Sequence, residues 1–487
     1  MGLKKNILYS GFLTTSLYIF HFITYPYVSR VLGVTNVGIC NYVQSIVQYF
    51  TYISMLGITS LGVREIAKTK GDARRLHDTF SQLFTLNIGF TIFALTLYFV
   101  LIETLPALIP YRRLLYIGAT QILFTAFSVE WLFTGLEDFK YITIRTTLVR
   151  SAYVISIFLF VKEQSDYTLY FLIYSLMIIA TGVINWQYRR RFVRYSFQPM
   201  GTLKPYFKPL VFLGSQFILT SMYTTFNTMF LGLSCGDTEV GYYTTATKIE
   251  QIILALYASV TLVIMPRISA LIEEQKEEEI VRMLKKSFNL LFAFAFPCVI
   301  FSEFFAPEMV WLIAGPGFEG AILPMRIIMP LLLLIGIEQV LVIQILTPSR
   351  ADRQVFTNAA LGATCSVVLN FLVVPRMMSV GSAISWVICE LVVFSSALYF
   401  VRKINREYTS FGDMLRHVLW FAPLCLLLWG CYWLDFVPWL SFGVGLLVTA
   451  GYTHVALRYG IRNKAYEDIL GMVKKKLHLG GRGSAER

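Results

Sequence analysis

Apolar stretches of bilayer length, parted by short polar connections, run the whole way along this 487-residue chain. Fourteen can be drawn, at 6–29, 38–62, 80–102, 114–134, 147–161, 167–186, 209–233, 241–265, 288–305, 324–347, 356–374, 381–401, 418–434 and 437–457. Most hold roughly 17–25 residues, the helix length that a hydrocarbon layer about 30 Å thick demands. The fifth, near 141–162, is the least distinct. The pattern predicts an all-α polytopic membrane protein of about 14 transmembrane helices.

The polar and glycine positions inside that pattern repeat. Sliding the chain against itself by roughly 203 positions puts Gly11 on Gly214 and Gly33 on Gly236. The same shift puts Thr35-Asn36-Val37-Gly38 on Thr238-Glu239-Val240-Gly241, and Arg64 on Arg267, without a gap. Six spans per repeat is an even number, so both repeats start on the same face and are parallel, not inverted. The expected partition is an N-lobe at 1–198 (spans 1–6), a C-lobe at 199–403 (spans 7–12) and a final pair of spans at 404–460. A cytoplasmic tail follows at 461–487. A duplicated bundle around a central cavity is the architecture of a transporter.

The connections carry little. The join at 187–208 is polar, with Arg189-Arg190-Arg191 and Pro199, and 273–286 reads as a short charged amphipathic helix. The largest outer connection, 307–323, holds a Gly315-Pro316-Gly317 turn and has no room for a folded domain. In the tail, Tyr466, Ile469, Leu470, Val473 and Leu477 share a helical face near Lys474–Lys476, which suits either a helix on the anionic inner leaflet or an ordinary soluble helix.

Composition agrees with the pattern: mean hydropathy is +0.62 and only 15% of residues are charged. The net charge of +13 invites a nucleic-acid reading until the charges are placed. With the amino terminus inside, only Arg30, Arg112, Arg113, Lys162, Lys248, Arg326 and Arg376 of the 42 Lys and Arg fall on the outer side or outer span ends. This positive-inside bias puts both termini in the cytoplasm and removes the need for a nucleic-acid partner. The first span follows Lys4-Lys5 but is too long for a signal peptide's apolar core, so a retained helix is expected. Seven scattered cysteines without Cys-x-x-Cys spacing read as packing residues.

Polar residues inside the spans fall in stripes. Asn41, Gln44, Gln48 and Tyr52 share a face of the second span; Thr244, Thr247, Lys248 and Gln251 do so on the eighth. The seventh span carries Gln216, Thr220, Tyr223 and Asn227, and the first carries Thr14, Tyr18, His21 and Tyr25 ahead of Pro26. An ionisable group at the bilayer centre costs from about 2.5 to above 10 kcal/mol. Four stripes paired by the repeat therefore point to one wet cavity, with polar glue between helices as the competing reading. Lys248 would give that cavity a positive charge; alternatively it snorkels outward, paired with Glu250. Arg30 is either a cavity residue or an interfacial anchor. Glu338 and Glu390, within spans ten and twelve, could each carry a coupling H+ or Na+ or serve a structural partner. His21 reads first as a packing histidine and second as a proton site.

No catalytic constellation, cofactor motif or metal site appears. A phosphate-binding glycine loop and His-Glu-x-x-His are both missing, and acid pairs such as Glu137-Asp138 lie on inner loops. That counts against a membrane-embedded glycosyltransferase or polymerase.

Several stretches resemble the polysaccharide transporter family of O-antigen and capsule repeat-unit flippases. They are Tyr25-Pro26-Tyr27-Val28-Ser29-Arg30-Val31-Leu32-Gly33 with Val37-Gly38 and Asn41-Tyr42, then Leu61-Gly62-Val63-Arg64-Glu65-Ile66-Ala67. The run from Glu130-Trp131-Leu132-Phe133-Thr134-Gly135 to Tyr141, and Val240-Gly241-Tyr242-Tyr243 with Ala246-Thr247-Lys248-Ile249, continue the likeness. The resemblance implies the fold of the multidrug/oligosaccharidyl-lipid/polysaccharide flippase superfamily. It implies a flippase, not an enzyme, that carries undecaprenyl-diphosphate-linked oligosaccharide to the outer leaflet of the bacterial cytoplasmic (inner) membrane for O-antigen, capsule or exopolysaccharide synthesis. A polysaccharide polymerase complex is a partner it leaves open. Alternatives are an ion-coupled multidrug exporter or a lipid II flippase of the same fold.

Overall fold

The computed structural model describes the backbone of residues 3–409, 411–433, 437–463, 466 and 467, and the side chains of this set from Phe20 onward except 21, 258–260, 262 and 263. The amphipathic tail residues beyond Glu467 lie outside the described residues, as do the side chains of Thr14, Tyr18 and His21. Among the described residues there is no β-strand.

The helices are α1 Leu3–Met55, α2 Ile58–Thr69, α3 Ala73–Thr104, α4 Arg112–Ser128, α5 Glu130–Gly135, α6 Phe139–Phe160, α7 Tyr167–Tyr188, α8 Met200–Thr224 and α9 Phe226–Cys235. They continue as α10 Asp237–Glu273, α11 Glu277–Phe304, α12 Ala306–Ala314, α13 Ile322–Ile328, α14 Leu331–Glu338, α15 Asp352–Ile404, α16 Gly412–Trp433 and α17 Pro438–Val455. Nine helices among the described residues are long and apolar enough to cross a bilayer, ten if the bent pair Glu319–Ile328 and Leu331–Leu346 is one span. The 53-residue α1 and α15 would each be about 80 Å long at 1.5 Å per residue, far beyond one hydrocarbon thickness. Each is broken inside, at Gly33 (φ 73°) and at Met378 (φ 53°). The architecture is compatible with fourteen spans.

Two differences from the sequence reading concern boundaries. The fifth span begins at Phe139, eight residues earlier than its apolar stretch, because the Asp138 carboxylate caps the helix at the Tyr141 amide. The polar residues that blur this segment, Thr143, Arg145 and Thr146, are buried against protein. The charged stretch 273–286 is not a separate helix. It is the end of α10 and the start of α11 around a tight turn with Gln275 at φ 55°. Glu277–Glu279 occupy the first turn of α11, where carboxylates complement the helix dipole.

The chain divides into two compact units. The first comprises Met1–Ala246, Ile313–Pro324 and Ala359–Cys389; the second comprises Thr247–Leu312, Met325–Asn358 and Glu390–Arg487. Within the first, the repeat closes on itself. The hydroxyls of Thr35 and Thr238 lie 2.9 Å apart, and the Asn41 amide donates to the Thr244 hydroxyl at 3.3 Å. Each of these pairs is separated by the 203-residue offset. Between them, a Cβ at Gly38 would meet the Asp237 carbonyl, and one at Gly241 would meet the Val34 carbonyl, which is the same contact reflected. Such reciprocal, in-register contacts require the two helices to run parallel about a local two-fold axis lying along them. Gly33 (φ 73°, ψ 168°) and Gly236 (φ 88°, ψ 175°) break the chain in the same conformation just before the paired helices. Glycine is at home there because a Cβ strains positive φ.

Aromatic packing holds the rest of the first unit. Trp131, Phe80 and Phe133 are buried in one cluster, and the Arg189 guanidinium lies 3.5 Å from the Trp186 ring centre. A Cβ at Gly62 would strike the Trp131 ring, and one at Gly135 would strike Ile66. The two sequence motifs that contain these residues therefore work as a packing joint. In the second unit, Phe305, Phe421 and Leu428 form the centre of a cluster where α11, α16 and α17 meet.

Candidate functional site

On α1 after its break, Asn41, Gln44, Gln48 and Tyr52 are all half-buried on one face. Asn41 also bonds the Val37 carbonyl at 2.8 Å. The Gln44 Oε1 is buried with no hydrogen-bond partner among the described residues. A buried acceptor left unmet costs about 1–3 kcal/mol, which a donor such as a sugar hydroxyl or water would relieve. Neighbouring Tyr49 points elsewhere and anchors on the Ser221 carbonyl at 3.0 Å.

The seventh-span residues separate. Gln216 is half-buried, Tyr223 is 6% exposed and Asn227 is fully buried. Asn227 donates to the Tyr243 hydroxyl at 3.3 Å and its carbonyl accepts from Ser366 and Asn370 of α15. This is a buried interhelical cluster, and Ser366 and Asn370 belong to it without lying on any of the stripes named above. Their spacing of four on one helix face is the signal that was there to find. Arg30 is exposed and folds back, donating to the Pro26 carbonyl at 2.8 Å and the Ile313 carbonyl at 3.5 Å. Gly315 (φ +90°) closes over its stem, where a Cβ would sit 2.7 Å from Cγ. Tyr25 of the first stripe shares a 2.7 Å hydrogen bond with Thr245.

In the second unit, Thr247 is buried, Lys248 is half-buried and Gln251 is exposed. Lys248 forms no ion pair with Glu250; residues two apart point to different sides of a helix. Glu250 is 1% exposed, and neither of its carboxylate oxygens has a hydrogen-bond partner among the described residues. It lies within electrostatic reach of Glu390, which is 3% exposed and shares a side-chain hydrogen bond with Glu338. Glu338 ends α14 where the helix turns into a π-helix over Gln339–Leu346, a departure from α geometry that recurs at functional sites. Buried Gln344 follows, its Oε1 accepting from Ser287 at 3.0 Å. In the sequence Glu250 reads only as a partner for Lys248; the fold makes it a buried acid in its own right. Among the described residues no group of three or more His, Cys, Asp or Glu could hold a metal ion.

A bundle of bilayer-length helices with a parallel internal repeat and polar faces inside apolar helices defines a membrane transporter. The chain belongs to the polysaccharide biosynthesis protein family, whose model matches residues 3–272. Over 415 residues it is 25% identical to a protein of Escherichia coli (strain K12) described as a putative O-antigen transporter, covering 83% of this chain and 97% of that one. A second protein of that description, from Shigella dysenteriae, is 25% identical over 282 residues, 55% of this chain and 68% of its own. The fold is shared with the lipid II flippase MurJ in its inward closed conformation (TM-score 0.75, 13% identity, 93% of this chain and 99% of that one). It is shared more loosely with an outward-facing multidrug resistance transporter of the MATE family (TM-score 0.55, 16% identity, 84% and 96% covered). The chain is thus a multi-pass membrane transporter of the polysaccharide-biosynthesis type.

Proposed function

We propose that this protein flips undecaprenyl-diphosphate-linked oligosaccharide repeat units from the inner to the outer leaflet of the bacterial cytoplasmic membrane. Membership of the polysaccharide biosynthesis family, in a chain whose two repeats pair in parallel, is the observation that carries this reading. A parallel repeat suits alternating access, in which polar helix faces open first to one side and then to the other. Asn41, Gln44, Gln48, Gln216 and Gln251 offer amides of the kind that hydrogen-bond sugar hydroxyls. Lys248 supplies a cation for the diphosphate, and the lipid tail stays in the bilayer. The membrane potential favours outward movement of an anion by about 2.3 kcal/mol per charge per 100 mV. The buried Glu338–Glu390 pair is a candidate for coupling, with H+ or Na+ as the ion.

Transport into inverted membrane vesicles tests the substrate. Labelled lipid-linked oligosaccharide is expected to move only when the protein is present, and excess lipid II or a multidrug cation is expected to compete poorly. Effective competition by either would favour a lipid II flippase or a multidrug exporter instead.

A further inference from the structure

Within the first unit an open groove of about 940 Å³ runs between α3 and α8, and none of the stripe residues described above lines it. Its walls include Leu86, Phe90, Phe93 and Phe207, and Phe93 and Phe207 are more than half exposed. Gly89 lies in the middle of α3, where glycine costs about 0.5–1 kcal/mol against alanine. A Cβ there would meet nothing within 4 Å, so no close neighbour demands glycine; its missing side chain widens the groove.

One end of the groove is polar and built. The extended segment 193–199 is pinned along α3: Tyr195 to Thr85 at 3.2 Å, and the Ser196 amide to the Ser81 hydroxyl at 3.2 Å. Gln198 donates to the Ser196 hydroxyl at 3.1 Å. Lys204, which lines this end, is exposed and has no ion pair among the described residues. The stretch 188–209 carries six cations, and no acid occurs between Asp166 and Asp237. The positive-inside bias assigns this end to the cytoplasmic face.

From the apolar slot, the lysine at its polar end and the gap at Gly89, we infer that this groove holds a polyprenyl diphosphate, its prenyl tail along α3 and α8 and its diphosphate at Lys204 and Gln198. A diphosphate of roughly two charges suits Lys204 and the basic segment beside it better than a singly charged phospholipid does. The groove is then a loading site on the inner leaflet, an inference that rests on the proposed substrate.

Photo-crosslinking of the full chain in nanodiscs tests it, with a photoactivatable polyprenyl diphosphate in one arm and photoactivatable phosphatidylglycerol in the other. The prenyl probe is expected to label peptides containing Phe93 and Phe207. Gly89→Trp should abolish the labelling and K204E should reduce it roughly fivefold. Lys204 is exposed, so its substitution leaves packing intact should Gly89→Trp not fold. Labelling by phosphatidylglycerol to the same extent, or labelling indifferent to K204E, would overturn the assignment to a diphosphate carrier. If the parental protein flips substrate yet the groove stays unlabelled, the groove inference falls and the proposed function stands. If neither occurs, both fall.

Discussion

Thr35 and Thr238 touch through their hydroxyls at 2.9 Å, and each is the other's counterpart in the 203-residue repeat. A pair of equivalent residues can meet only on the axis that relates them, so this contact marks the line about which the two paired helices are arranged. Replacing both by cysteine in a cysteine-free background should give a disulfide on mild oxidation, read as a mobility shift after cleavage between the repeats. Failure to crosslink while control pairs succeed would remove the axis.

Gly38 and Gly241 permit that approach. A Cβ on Gly38 would fall 1.8 Å from the Asp237 carbonyl oxygen, and one on Gly241 2.3 Å from that of Val34. Gly38→Ala and Gly241→Ala should therefore each destabilise the protein, by at least about 1–3 kcal/mol, the usual cost of overpacking. Thermal unfolding in detergent measures it. Gly89→Ala, in open space within a helix, should instead raise the transition slightly, by about 0.5–1 kcal/mol.

The Glu130–Arg145 pair predicts an asymmetry. Their ion pair is 3.0 Å long, with the Arg145 side chain 5% exposed and that of Glu130 46% exposed. Glu130→Ala strands a buried guanidinium, whereas Arg145→Met removes the charge and leaves a carboxylate able to reach water. Glu130→Ala should be the more destabilising by about 1–2 kcal/mol, as measured by chemical denaturation.

Much of this fold was legible in the sequence because bilayer length and the 203-residue offset are both linear signals. The polar stripes were legible as helix faces, but their fates were not. Asn227 sits on the same kind of stripe as Gln44, yet it meets Asn370 and Tyr243 from other helices and is wholly spent on packing. Glu250 reads as a neighbour of Lys248, and only the helix geometry turns it the other way, toward Glu390. Spacing along one helix fixes which residues share a face; which helix that face meets is a long-range contact that spacing does not record.

Glu338 and Glu390 lie together, and an amide at either position keeps the shape while removing one ionisable carboxyl. Glu390→Gln and Glu338→Gln should leave the folded yield unchanged and make transport insensitive to an imposed pH gradient. A variant that still responds fully to the gradient would take this pair out of the coupling.

Lys248 is half-buried on α10, with no ion pair to a described residue. Lys248→Ala should lower the initial flipping rate about tenfold, the loss of a charge-assisted hydrogen bond of about 1.4 kcal/mol or more. Lys248→Arg should restore a substantial part of it.

The most direct measurement is leaflet exchange by the purified protein. Liposomes are loaded with fluorescent undecaprenyl-diphosphate oligosaccharide in both leaflets, and a membrane-impermeant quencher is added outside. With the parental protein the signal should fall well past the half that the outer leaflet holds, and with K248A it should fall there far more slowly. A signal that stops at half in every sample, with and without protein, would contradict the account.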